Sequence, residues 1–231
     1  HDIGRICPSN QFVTTTPLLN SEHAHHSVLS SLQIRHLIGT GAQGNVYELS
    51  DATNEKRYAG KTFHDRAALA VEQSAYSKLQ GHQGIATCYG VVHLEGKEIL
   101  ITDFIGKDTL RNFISKCDDF CKRFHKEASY APQMRLMLAQ QLVDALHHIE
   151  KQGMCHADLK PENIMLSDDG KLKIIDLGLA VPRTSLISNM KGTHHYMAPE
   201  IILANNDFAK VDSYAMGNIL LELLTGFRLK Q

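Results

Sequence analysis

The sequence predicts an α+β, bilobal protein, mainly β in its N-terminal half and mainly α in its C-terminal half. Three observations predict it. Between residues 33 and 102, short runs rich in β-branched and aromatic residues are broken by polar or glycine-containing turns. From Pro132 onward, apolar residues recur at helical spacing. A nearly all-apolar helical pattern at 214–224 then demands cover from something else.

Bulk properties exclude several classes. A chain of 231 residues can bury a sizeable core, and its apolar share of 43% is ordinary for a globular protein. A net charge of −1 leaves no electrostatic footprint for nucleic acid or an anionic membrane. No apolar run reaches the roughly 18 residues that a membrane span needs, and residues 3–31 contain no signal-peptide core. Five cysteines at irregular spacing argue against a disulfide framework and for a reducing, cytoplasmic setting. Cys117, Cys121 and His125 would share a helical face in outline suited to zinc, but two free thiols on a small surface helix explain them as well.

Taken in order, residues 1–31 are polar, sustain no period and read as a tail. Residues 33–38 read as a strand, followed by Gly39-Thr40-Gly41-Ala42-Gln43-Gly44 and a second strand from Val46. Glycines at this spacing let backbone N–H groups approach phosphate oxygens. The pattern alone is weak, since dinucleotide folds use it too. A dinucleotide site would open a helix after the third glycine, whereas here a strand follows and ends at the polar turn 50–55. Residues 57–63 form the next strand, with Ala59 and Lys61 on one face. Residues 65–79 read as a helix with Leu69, Val71, Tyr76 and Leu79 apolar and Glu72 inside it, stopped by Gly81-His82-Gln83-Gly84. Two more strands, 85–92 and 98–102, meet at Glu95-Gly96-Lys97. A helix and a connection occupy 110–130. Pro132 then suits a first helical turn, with Met134, Met137, Leu138, Gln141, Leu142, Ala145, Leu146 and Ile149 at helical spacing.

That helix delivers the chain to His156-Ala157-Asp158-Leu159-Lys160-Pro161-Glu162-Asn163, and a hairpin over 164–175 leads on to Asp176-Leu177-Gly178. Two carboxylates, an ammonium and an amide in adjoining loops suit phosphoryl transfer, which requires charge neutralisation and an acceptor hydroxyl held in line. Asp158 would take the hydroxyl proton, Lys160 would sit near the γ-phosphate, and Asn163 and Asp176 would offer oxygens to Mg²⁺.

These motifs resemble those of the eukaryotic-type Ser/Thr protein kinases, with Ala157 where that family usually has Arg and Leu177 where it has Phe. The resemblance runs from about Leu32 to Gly226. It implies a small lobe and hinge at 32–105 and a large lobe at 106–231, with ATP and Mg²⁺ as cofactors and proteins bearing Ser or Thr acceptors as substrates. It also implies that Ile38, Gly39, Gly41, Gly44, Val46, Ala59, Thr102, Asp103, Ile105, Met165 and Ile175 line the nucleotide, the Asp103 carbonyl and Ile105 N–H reading adenine. Lys61 would reach the phosphates and pair with Glu72, and a small gatekeeper at Thr102 implies an open pocket behind the nucleotide. Asp212 would brace the catalytic loop, Thr193 would sit near Asp158 and Lys160, and Lys160 itself marks the Ser/Thr branch. With no Arg at 157 to receive a phosphate, activity is expected not to require phosphorylation of Thr184, Ser185 or Ser188.

After the helix at 214–224 only residues 225–231 remain, where full-length kinases add more helices. A truncated large lobe, a protein partner covering that helix, or an effector-like minimal kinase acting in a host cytosol are the readings this invites. The rival to an enzyme is a pseudokinase-like binding module or scaffold, supported by Ala157, Leu177 and the uncovered helix.

Overall fold

A computed structural model describes residues 15–16, 29, 31–53, 55–117, 131–185, 194–199 and 210–226. Alternating side chains in the first half build one antiparallel sheet from β2 (Gln33–Gly41), β3 (Gly44–Ser50), β4 (Arg57–Thr62), β5 (Cys88–Leu94) and β6 (Lys97–Asp103). The two-residue β1 (Thr15–Thr16) pairs with Val91 and Val92 at the edge, so the order is β1-β5-β6-β4-β3-β2. This edge strand lies in the stretch the sequence assigns to a tail; two threonines are too short a run to show a period. One face of the sheet buries Leu49, Tyr58, Val92, Ile99 and Ile101 with Leu29 and Leu32. Each such side chain contributes roughly 1.5–3 kcal/mol.

The other face carries α1 (Arg66–Leu79), whose N-cap Asp65 accepts the Ala67 N–H at 2.9 Å. Leu69, Glu72, Ala75, Tyr76 and Leu79 form its buried stripe. Val71 is 44% exposed, contrary to expectation, because two residues beyond Leu69 the helix has turned away from the sheet.

The second half is built on α2 (Leu110–Ser115), α3 (Ala131–Lys151) and α4 (Val211–Thr225). Leu138, Leu142, Ala145, Leu146 and Ile149 of α3 pack in the main core, while Met137, expected on that face, is 60% exposed. The polar member of the face, Gln141, earns its place by accepting from Leu172 N–H at 2.9 Å. α4 buries Ala215, Ile219 and Leu223 and leaves Tyr214, Leu221 and Leu224 exposed. Gly226, at φ 72°, ends it by donating to the Glu222 carbonyl at 2.8 Å.

Short strands join the halves. β7 (Asp108–Thr109), β9 (Ile164–Leu166) and β10 (Leu172–Ile174) form a three-stranded sheet, and β8 (Met154–Cys155) pairs with β11 (Val181–Pro182). Ile174 donates to the Gly84 carbonyl at 2.8 Å and accepts from Ala86 at 3.0 Å, stitching β10 to the loop after α1. At the crossing between halves, the Asp103 carboxylate holds Lys173 Nζ at 2.6 Å, Tyr89 Oη at 2.7 Å and Thr87 N at 3.0 Å.

Candidate active site

Lys61 stands on β4 opposite Val46 of β3. Its Nζ lies 2.7 Å from Glu72 Oε2 of α1 and 2.7 Å from Asp176 Oδ1, which follows the β9–β10 hairpin. One ammonium therefore joins the sheet, the helix and the other half of the molecule. Burial alone would lower the Lys61 pKa, but the Glu72 and Asp176 carboxylates more than offset it and the net shift is upward. Burial raises the Glu72 carboxyl to about 7 against the pull of Lys61. Asp176 is held below its ordinary value, because Lys61 overcomes the burial that opposes ionisation.

The adjoining loop is held by Asp212 near the start of α4. Its two oxygens accept the backbone N–H groups of His156 at 2.6 Å and Ala157 at 3.0 Å. Ala157 takes a left-handed φ of 67°, and Asp176 one of 58°. For a residue with a Cβ this costs on the order of 1–2 kcal/mol, so each persists because its surroundings fix it. The Ala157 methyl packs in a small cluster with Cys155, Ala198 and Val211. His156 is fully buried and Nδ1 accepts from the Asp158 N–H at 3.3 Å, while Nε2 faces the Ile175 carbonyl at 3.3 Å. This makes the histidine a brace between the two loops.

Lys160 Nζ lies 2.6 Å from Asp158 Oδ2. The Asn163 amide N–H₂ donates to the Asp158 carbonyl at 2.9 Å and to Asp158 Oδ2 at 3.3 Å, which turns its carbonyl oxygen outward from that pair. The Asn163 backbone carbonyl accepts from Ile175 N at 2.9 Å, setting Asn163 beside Asp176. An amide oxygen and a depressed carboxylate are hard donors that fit Mg²⁺, which takes its remaining ligands from phosphate and water. Among the described residues no group of three His, Cys, Asp or Glu could hold a metal by itself.

Around Lys61, Ala59 pairs with Thr102 and Glu48, and Gly39 pairs with Val46. Ile38 is 44% exposed at the rim, whereas Ile105 and Ile175 pack partly buried against the main core. Met165 pairs with Lys173 and Thr109 on the large-lobe side, and Asp103 ends β6. A Cβ at Gly44 would lie 1.7 Å from the Thr62 carbonyl oxygen, so the third glycine is required by the loop's packing on β4. A Cβ at Gly39 or Gly41 would meet nothing closer than 3.9 and 3.8 Å, so the loop backbone there is open.

The family model described as the protein kinase domain matches residues 32–231. This chain belongs to the protein kinase family. It is 26% identical to "Protein kinase 2" of Dictyostelium discoideum over 89% of this chain and 43% of that protein. It is 30% identical to "Probable cAMP-dependent protein kinase catalytic subunit" of Encephalitozoon cuniculi over 82% of this chain and 59% of the relative. A "Probable serine/threonine-protein kinase" of Lactococcus lactis is 28% identical over 82% of this chain. The chain thus spans between 30% and 59% of the length of these relatives.

This kinase chain also carries contacts that sequence reasoning missed. Arg111 of α2 binds Glu162 Oε1 at 2.8 Å and Glu222 Oε2 at 2.7 Å, and Glu222 also accepts from Tyr196 Oη at 2.8 Å. Arg111 Nη2 donates to the same Tyr196 hydroxyl. A glutamate inside the otherwise apolar run 219–224 was the available signal, because a charge on a helix that must be covered requires a partner. Gln43 in the glycine loop reaches both Lys61 and Gly178, across a sequence gap that no local pattern bridges. Glu200, Thr193, Ser188, Cys121 and His125 lie outside the described residues. Cys88, Cys117 and Cys155 are buried free thiols, and burial pushes Cys88 up to about 12 and Cys155 higher still.

Proposed function

We propose that this chain transfers the γ-phosphoryl group of ATP to Ser or Thr hydroxyls of protein substrates, with Mg²⁺ as cofactor. The observation that carries the reading is the Lys61 ammonium, held 2.7 Å from both Glu72 and Asp176, beside a loop that presents Asp158, Lys160 and Asn163. Lys61 binds and orients the α- and β-phosphates, and Glu72 keeps its stem aligned. Asn163 and Asp176 would hold the metal, which would supply neutralisation of the charge that develops on the phosphates. Asp158, with Lys160 Nζ 2.6 Å from its Oδ2, accepts the hydroxyl proton as the acceptor oxygen attacks. Lys160 then faces the transferred group with its positive charge.

Several findings support protein Ser/Thr hydroxyls over other acceptors. Lys160 belongs to the Ser/Thr-type loop pattern, and the relatives named above include a serine/threonine-protein kinase. Among the described residues no helix is long and apolar enough to cross a membrane, and unpaired thiols suit a reducing, cytoplasmic compartment. The scaffold reading loses weight at two of its three supports: Leu177 is fully buried and fills an apolar slot as Phe would, and Ala157 is braced by Asp212 without a longer side chain.

The test is label transfer from γ-labelled ATP to a Ser/Thr peptide library in Mg²⁺. Wild type is expected to modify Ser and Thr, and Asp158→Ala to lower the rate by about 10²–10⁴ with nucleotide affinity retained. Equal rates for the two proteins contradict the assignment.

A further inference from the structure

The glycine loop is closed onto the site by a side chain of its own. Gln43 Oε1 accepts a hydrogen bond from Lys61 Nζ at 3.1 Å, and Gln43 Nε2 donates to the Gly178 carbonyl at 3.0 Å. The loop's backbone is fixed at the same point, where the His64 N–H donates to the Gln43 carbonyl at 2.9 Å. One amide therefore links the tip of the lid to the small-lobe lysine and to the residue two beyond Asp176. The fit is close: a Cβ built on Gly178 would stand 2.0 Å from Gln43 Oε1.

A lysine ammonium has three N–H donors and no more. In this structure Lys61 Nζ has three acceptors, Glu72, Asp176 and Gln43. A phosphate oxygen can reach Lys61 only if one of them leaves. Glu72 is 2% exposed and lies 2.7 Å from Lys61 Nζ, and the Asp176 carboxylate lies 2.7 Å from it on the other side. Gln43 is neutral, its contact is the longest of the three, and it sits on a loop. All three bonds share the charged donor, but only the carboxylates add an ion-pair attraction and the amide contact is the longest, so the amide is the acceptor that yields.

We propose that Gln43 is a latch that sets nucleotide affinity, occupying the phosphate-binding position of Lys61 and pinning the lid to Gly178 until phosphate displaces it. This rests on the reading of Lys61 as a phosphate ligand. Binding must first break two hydrogen bonds, so the apparent affinity is lowered by the fraction of molecules already unlatched. A nucleotide that carries phosphates gains the exchange of a neutral acceptor for a charged one. A nucleoside gains nothing from it and is held out.

The experiment is calorimetric binding of Mg·ADP and of adenosine to the full chain, for wild type, Gln43→Ala, Gly178→Ala and the double variant. Both single variants free Lys61 by different routes, the second because its methyl expels the amide. Each is expected to bind Mg·ADP about three- to tenfold more tightly, the worth of one or two net hydrogen bonds. The double variant is expected to gain no more than either single variant. An unchanged or weaker affinity in Gln43→Ala, or additive gains in the double variant, overturns the latch. Hydrogen exchange of residues 39–46 without nucleotide keeps the two readings apart. Faster exchange in Gln43→Ala than in wild type supports the latch even where no protein binds nucleotide, in which case it is the phosphate role of Lys61 that fails. Equal exchange overturns the latch itself.

Discussion

Burial lifts the Glu72 carboxyl to about 7 although Lys61 lies 2.7 Å away. Its folded-state proton affinity thus exceeds that of the unfolded chain, whose carboxyl titrates near 4.5. The group's contribution favours the fold fully below that lower value and is lost as pH rises through about 7. Asp176 has the opposite sign, since its lowered pKa contributes stability above about 3.8 that is lost only on further acidification. Over the neutral range Glu72 therefore acts alone of the pair. Urea denaturation of wild type beside Glu72→Gln is expected to show the wild type gaining on the variant by about 2–3 kcal/mol between roughly pH 8 and pH 5. A difference that does not move with pH contradicts the assignment. Lys61, Asp158, Asn163 and Asp176 were legible as candidates because each sits in a short motif, and Glu72 because the resemblance asks for a helix glutamate to pair with Lys61. Their protonation was not, since it depends on neighbours as remote as Lys61 and Asp176.

At the scale of elements, the loop 156–158 depends on a helix that begins more than fifty residues later. Asp212 satisfies two buried backbone donors, and Ala157 is held at φ 67° by that grip. Asp212→Ala leaves both donors without their carboxylate and is expected to cost about 2–5 kcal/mol of stability together with most activity. Asp158→Ala is expected to lower activity with a much smaller effect on stability; thermal melts of the two proteins check the contrast, and equal destabilisation would sink it. Strands β2 to β6, helices α1 and α3 and the 164–175 hairpin were legible from period and turn residues. The outward positions of Val71 and Met137 were not, because a helix face is chosen by what packs on it. Nor was the Arg111–Glu222 pair, which joins elements far apart in sequence.

Across the whole molecule, the two halves share one apolar core, in which Tyr76 and Leu79 are buried with Leu142 and Leu146, and polar contacts such as Lys61 to Asp176, Lys173 to Asp103 and the backbone stitch at Ile174 add to it. The order of motifs made two lobes legible, while the angle between them rests on contacts that only folding creates. Ala157 offers no cation to a phosphorylated segment, Thr184 is exposed, and the loop is braced from α4. Alanine at Thr184, Ser185 and Ser188 together is therefore expected to leave turnover within about twofold in a steady-state assay; loss of activity in that variant contradicts the expectation. The most direct measurement of convergence uses an acyl-phosphate derivative of ATP that acylates lysines lying against its phosphates, with labelled peptides identified by mass spectrometry. The account predicts that Lys61 and Lys160 are both acylated and that excess Mg·ATP protects both. Labelling spread over surface lysines such as Lys97 and Lys171, with no protection of Lys61, would contradict it.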